Sequence, residues 1–280
     1  MHNNPSAEFE KGISVLVRTS NSEKSLRALI GRLQLGPQDE LIVVDTASED
    51  GTVELAKQAG VRVIHNAKPF NYSRTLNLGF ENAHCPWVLA LSVHCLPVND
   101  TFLECYRQAI GLLTKAPSVL YGGQVLSRTQ YARGAKEPPR SYTGVEALSG
   151  IRRGGNANSL YSRSAWKMHP FDETLVTGED AEWLNWAART GLVCAEAPGA
   201  CVLYRHPGGF AYRFRKAVGE IKAGGGGRPM SVAELAIGVA YATRHLLWEE
   251  FVPRAWLGQV AHQLGSFVAS RSHRKIEKSG

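Results

Sequence analysis

"DELIVVDTASEDGTVELAKQAG", residues 39–60, decides the fold. Apolar residues run from Leu41 to Val44 and stop at Asp45. A polar turn follows, and "TVELAKQAG" then carries apolar residues at helical spacing and closes on Gly60. A short apolar run bounded by turn residues predicts a buried strand, and the following period predicts a helix stopped by glycine. The same alternation extends in both directions. "ISVLVRT" (13–19), "VRVIHN" (61–66) and "PWVLALSV" (86–93) read as strands. "SEKSLRALIGRLQ" and "SRTLNLGFENA" read as helices, the first opened by a serine cap. Strand and helix alternating over the first hundred residues predict a parallel α/β sheet with helices on both faces. Ligands in such sheets sit beyond the carboxyl ends of the strands. Asp45, Arg18-Thr19 and Ser92–His94 all fall at those ends.

The pattern becomes mixed after residue 100. "NDTFLECYRQAIGLL" reads as a helix capped by Asn99 or Asp100, and "SVLYGGQVL" as a strand. "SRTQYARGAKEPPRSYTG" reads as a polar loop, and "GNANSLYSRSAWKM" as a strand leading into a short helix. "GEDAEWLNWAARTG" is a helix with acidic residues in its first turn and Gly191 as its stop, and "ACVLYRH" a final strand. "GGGG" (224–227) and Pro229 break the chain. Two amphipathic stretches (231–251 and 254–271) and a basic tail follow. These stretches are expected to pack on the main domain or on a second copy of the chain. Contact with a membrane surface is the alternative.

The 280 residues suffice for a sizeable core. A hydrophobic content of 44% with 20% charged residues is that of a globular chain. The net charge of +7 suits an anionic ligand or surface. Five cysteines without a CxxC pair read as reduced thiols rather than a disulfide frame or zinc site, which predicts a cytoplasmic protein. The polar start has no apolar signal core, and no stretch of about 18 uncharged apolar residues predicts a membrane span. There is no GxGxxG after the first strand, no GxxxxGK[ST], no GxSxG and no HExxH. The scattered Lys and Arg lack the aromatic interleaving of a nucleic-acid surface.

The ordered motifs resemble the family 2 glycosyltransferases. They are "SVLVRTSN", "LIVVDTASEDGT", "FNYSRTLNLGFENA", "WVLALSVHCLP", "PFDETLVTGEDAEWLNWAARTG" and "CVLYRHPG". The resemblance covers residues 12–216. It implies a GT-A fold, a Rossmann-like mixed sheet flanked by helices, with residues 217–280 as a helical C-terminal extension. It implies an inverting enzyme that moves a sugar from a nucleotide-diphosphate donor to an acceptor hydroxyl or, as the alternative, an amine. The acceptor class is a glycan, lipid or small molecule.

The resemblance makes Asp45 a nucleotide contact; the alternative from the residues alone is a cap for its own turn. Asp50 reads as a turn and helix-cap residue. Arg18, Thr19 and Asn21 are expected on the other side of the nucleotide. Arg74 suits a diphosphate through its planar fork, or else a surface salt bridge; Asn77 reads as a buried structural hydrogen-bonder. Where the family carries DxD for a divalent ion, this chain has Ser92-x-His94. His94 and His206 could share Mn²⁺ or Mg²⁺, or they donate to the diphosphate beside Arg74 and Arg205. In the resemblance Asp180 is the general base and Glu179 its neighbour; the alternative is helix capping. Asn156 and Asn158 either bond sugar hydroxyls or cap a loop. Trp183 stacks on a sugar or joins the core. Rival readings are a GT-A domain that binds a nucleotide sugar without turnover, and a sugar nucleotidyltransferase.

Overall fold

The structure, a computed structural model, describes residues 12–125, 131, 137–151, 155–175, 177–204 and 264. The chain divides into two compact units. One comprises residues up to Thr174 together with Glu179–Arg205, and the other Leu175–Gly178 with His206–Gly280. The expected extension over 217–280, its amphipathic stretches included, lies outside the described residues except for Leu264.

The first unit is built on one mixed sheet. Four parallel strands come first: β1 (Ile13–Thr19), β2 (Glu40–Asp45), β3 (Arg62–His65) and β4 (Trp87–Ser92). They are joined by helices α1 (Glu23–Ile30), α2 (Thr52–Gln58) and α3 (Tyr72–Glu81). There follow β5 (Cys95–Pro97), α4 (Phe102–Leu112), β6 (Val119–Val125), β7 (Arg140–Thr143) and α5 (Glu146–Gly150). The rest is β8 (Asn158–Ser162), α6 (Arg163–Met168), α7 (Glu179–Arg189) and β9 (Val193–Tyr204). Among the described residues nine strands form one sheet in the order β3-β2-β1-β4-β8-β6-β9-β5, with β7 on β9. β8 runs antiparallel to β4 and β6, and this is where the parallel half becomes mixed.

Side chains alternate across each strand and so build two cores. Val15, Val17, Val43, Leu89 and Leu91 face α1, α2 and α4, with Leu26, Leu29, Leu55 and Phe102. Leu16, Ile42, Val44, Val88 and Ala90 face α3, α6 and α7, with Leu76, Phe80, Trp166 and Trp183. Gly79 of α3 rests directly on Leu16, with no room for a β-carbon.

Three expectations are corrected. The helix after residue 100 begins at Phe102 behind Thr101, and neither Asn99 nor Asp100 caps it. The loop before Gly144 contains strand β7 at its end. The last strand begins at Val193 rather than Ala200, because β9 continues past Pro198-Gly199 by a slip in register, from Gly122↔Ala197 to Gly123↔Cys201.

Candidate functional site

The carboxyl ends of β1, β2 and β4 form one rim. Thr19 stands beside Asp45, and Arg18 lies between Val44 and Ser92. Successive residues of β1 point to opposite faces, so Thr19 and Arg18 serve different sides of this rim.

On the α1/α2 side, Asp45 is buried and accepts from the Thr19 hydroxyl at 2.7 Å, the Ser48 hydroxyl at 2.6 Å and the Ser48 N–H at 3.0 Å. The Asp-x-x-Ser spacing lets the carboxylate fold the chain over itself. Asn21, at a positive φ of 45°, accepts from the Glu49 N–H at 2.8 Å and donates its own N–H to the Ser48 hydroxyl oxygen at 2.8 Å. Asp50 accepts from the N–H groups of Glu23 and Thr52, so it caps α1 and α2 together, and the Thr52 hydroxyl bond holds its carboxyl below the usual range. The two loops of the rim are thereby one hydrogen-bonded body.

On the α3/α7 side, Glu179 opens α7 and is buried. Its Oε1 accepts from the Asn156 amide at 3.1 Å and lies 3.9 Å from Arg18 Nη1. Asn156 in turn accepts from the Tyr161 hydroxyl at 2.7 Å and donates its N–H to Asp180 Oδ2 at 3.3 Å. Asp180 is the more exposed of the two acids, and its Oδ1 takes the Ala181 N–H at 2.8 Å. The Arg18 guanidinium sits over the Tyr72 ring, 5.2 Å from its centroid. Burial pulls the Arg18 pKa down, opposed by Glu179, yet its Nη1 is buried with no hydrogen-bond partner among the described residues.

Arg74 is engaged by Glu173 at 3.0 Å and by the Pro69 carbonyl at 3.3 Å. Asn77 is the expected buried strut, bonded to Phe171 and Trp166. Asn158 also lies inside the sheet. Its amide donates to the Gly123 and Ala200 carbonyls and its oxygen accepts from Tyr106, so no side-chain donor is left for a sugar. Trp183 is 0% exposed, its indole N–H is spent on the His169 carbonyl, and Tyr161 meets it edge-on. It is a core residue with no open face for stacking, which corrects that part of its expected role.

Ser92 ends β4, and its hydroxyl lies 3.4 Å from the His94 N–H. His94 Nδ1 is 3.3 Å from Ser25 Oγ in α1, and burial pushes its pKa down, favouring neutral imidazole. Cys95, next in sequence, is pushed up to about 12 by burial and remains a thiol. No three His, Cys, Asp or Glu side chains among the described residues gather to hold a metal ion. Ser92 and His94 supply no carboxylate, the ligand that Mg²⁺ and Mn²⁺ ordinarily take from a protein. Arg205 and His206 lie outside the described residues.

Tyr72, Tyr161, Ser48 and Ser25 are site residues that the sequence reading did not single out. Ser48 was accessible through its spacing from Asp45; the others depend on contacts distant in sequence.

The fold matches solved GT-A glycosyltransferases. A mannosyltransferase, PcManGT from Pyrobaculum calidifontis, solved with GDP-Man and Mn²⁺, superposes with a TM-score of 0.61 at 14% identity, over 94% of this chain and 87% of that one. TarS residues 1–349 of S. aureus with UDP-GlcNAc gives 0.57 at 15%, over 94% and 92%. Glucosyl-3-phosphoglycerate synthase of Mycobacterium tuberculosis, with Mn²⁺, UDP and glucosyl-3-phosphoglycerate, gives 0.53 at 17%, over 80% and 86%. In sequence, glycosyltransferase AglE of Haloferax volcanii is 25% identical over 189 residues, which are 64% of this chain and 60% of that protein. The chain thus spans about three-fifths of that relative's length. The family model described as Glycosyl transferase family 2 matches residues 14–164, more than half of the chain and the whole parallel half of the sheet, and the chain belongs to that family.

Proposed function

We propose that the protein is an inverting glycosyltransferase that moves a sugar from a nucleotide-diphosphate donor to an acceptor hydroxyl. The observation that carries this reading is the meeting of the α7 acids with the strand rim: Glu179 is tied to Arg18 and Asn156, and Asp180 stands next to it, half-exposed. Membership of the family and relatives solved with GDP-Man and UDP-GlcNAc support a nucleotide-sugar donor.

The nucleoside lies along Asp45, Thr19 and Asn21, and the diphosphate between Ser92, His94 and the rim's cations. Glu179 is buried against Asn156 and Arg18, whereas Asp180 is the more exposed acid and accepts only from backbone N–H groups, so Asp180 is the carboxylate that an acceptor hydroxyl can reach. The acceptor oxygen attacks the anomeric carbon while Asp180 removes its proton, and the nucleoside diphosphate leaves from the opposite face. Preorganised donors at the leaving group stabilise the charge that builds there. Two of the relatives were solved with Mn²⁺, which supports a divalent cation in the family's chemistry in general. In this chain Ser92 and His94 offer such an ion no carboxylate. The acceptor is a hydroxyl-bearing glycan, lipid or small molecule. No helix of the described residues is long and apolar enough to cross a membrane.

A thermal-shift panel of UDP-, GDP- and dTDP-sugars, followed by NMR of the product anomer, tests the proposal. At a hundredfold excess over Kd a donor adds about 2.7 kcal/mol of stability, and the transferred sugar emerges with inverted configuration. Failure of every nucleotide to raise Tm, or retention at the anomeric carbon, rejects it.

A further inference from the structure

The departing diphosphate needs a cation, and among the described residues no carboxylate stands at the Ser92 position to hold a metal ion. Among the described residues two arginines stand at the rim. Arg74 is hydrogen-bonded to Glu173 and to the Pro69 carbonyl. Arg18 is not: its Nη1 is buried and makes no hydrogen bond among the described residues, and Glu179, at 3.9 Å, is beyond hydrogen-bond reach. A buried charged donor without a partner is costly, and that cost is recovered when an anion completes its shell. The guanidinium is also oriented in advance, over the Tyr72 ring on one side and toward Glu179 on another. Its register partner on β4 is Ser92. A carboxylate at that position would stand against Arg18 as a second anion beside Glu179; a serine adds none.

We propose that the Arg18 guanidinium, rather than a carboxylate-held metal ion, binds the diphosphate of the donor and takes up the charge released when the sugar leaves. This rests on the crevice being a donor site. The bond from the anomeric carbon to the diphosphate oxygen breaks, its electron pair stays on that oxygen beside Arg18, the acceptor oxygen bonds to the anomeric carbon, and the acceptor proton goes to Asp180. The planar fork of Arg suits two phosphate oxygens at once, which a Lys ammonium does not reproduce.

Calorimetric titration of the full chain with UDP, UMP, GDP and GMP in EDTA tests this. In the wild type the preferred diphosphate binds about tenfold or more tighter than its monophosphate, as expected for charge-assisted hydrogen bonds to the second phosphate. Arg18→Met collapses that ratio toward one with monophosphate affinity changed less than about threefold, and Arg18→Lys falls between. Ser92→Asp, which leaves Arg18 in place, lowers the ratio in the same way. A wild-type preference that appears only with added Mn²⁺ overturns the inference, as does a ratio that Arg18→Met leaves unchanged, or an equal loss of mono- and diphosphate binding in a folded Arg18→Met. If no nucleotide binds the wild type, the donor-site reading itself falls and this inference with it.

Discussion

Asp45 serves the structure of the rim as well as its proposed ligand. Three hydrogen bonds from Thr19 and Ser48 converge on a carboxylate that is 2% exposed. Asp45→Ala removes the acceptor and leaves the Thr19 hydroxyl and the Ser48 N–H to find other partners, which predicts a loss of about 2–3 kcal/mol. Urea unfolding measures it; an unchanged midpoint would show that the turn holds without the carboxylate. Glu179 and Asp180 are neighbours with different duties. The first is buried against Asn156 and Arg18, and the second is half-exposed and bonded to backbone N–H groups. Asn156 sets both acids at once and is itself fixed by Tyr161.

At the scale of elements, Glu40 joins β1, β2, β3 and the α3–β4 turn. It accepts from the Ser14 hydroxyl at 2.5 Å, the Arg62 guanidinium at 2.7 Å and the His84 N–H at 2.7 Å. Burial alone would raise its carboxyl pKa; the bonds from Ser14, His84 and Arg62 outweigh burial and hold it below the ordinary value. A carboxylate with a lowered folded-state pKa stabilises the protein above its unfolded pKa and loses that contribution as pH falls through the folded value. Chemical unfolding of Glu40→Gln against wild type should therefore show a deficit at pH 7 that shrinks below the usual carboxylate range. A deficit that is independent of pH would contradict the role given to the charge.

The elements also show what a sequence can disclose. β1 was legible to the residue, because its apolar run is buried on both faces and bounded by turn residues. Asp50 as a cap of α2 was legible because Thr52 is local; its bond to the Glu23 N–H of α1, 27 residues away, was not. β7 was not: "RSYT" is paired on one side only, by β9, and so carries no apolar alternation. The first half of β9 was missed because Pro198-Gly199 reads as a break, whereas the strand absorbs it as a slip of register against β6. Asn156 and Asn158 read alike in "GNAN"; only the fold separates them, turning one toward the α7 acids and the other into the sheet between Tyr106 and Ala200.

For the first unit as a whole, the chemistry concentrates where the parallel strands end and the α7 acids arrive. The parallel half supplies Asp45, Thr19, Arg18 and Ser92, and the mixed half supplies Asn156, Glu179 and Asp180. Sequence order alone could name these residues through family resemblance. Strand alternation sets Arg18 and Thr19 on opposite faces, but that the acids share the face of Arg18 follows only from the packing of α7. The account depends on donor and base sharing this rim with separable duties. Comparing Asp180→Asn with wild type in one assay of donor binding and turnover tests it most directly. The account predicts donor affinity within about threefold of wild type and a fall in turnover of about a hundredfold or more, the scale of a lost general base. Turnover close to wild type in the Asp180→Asn variant would contradict it.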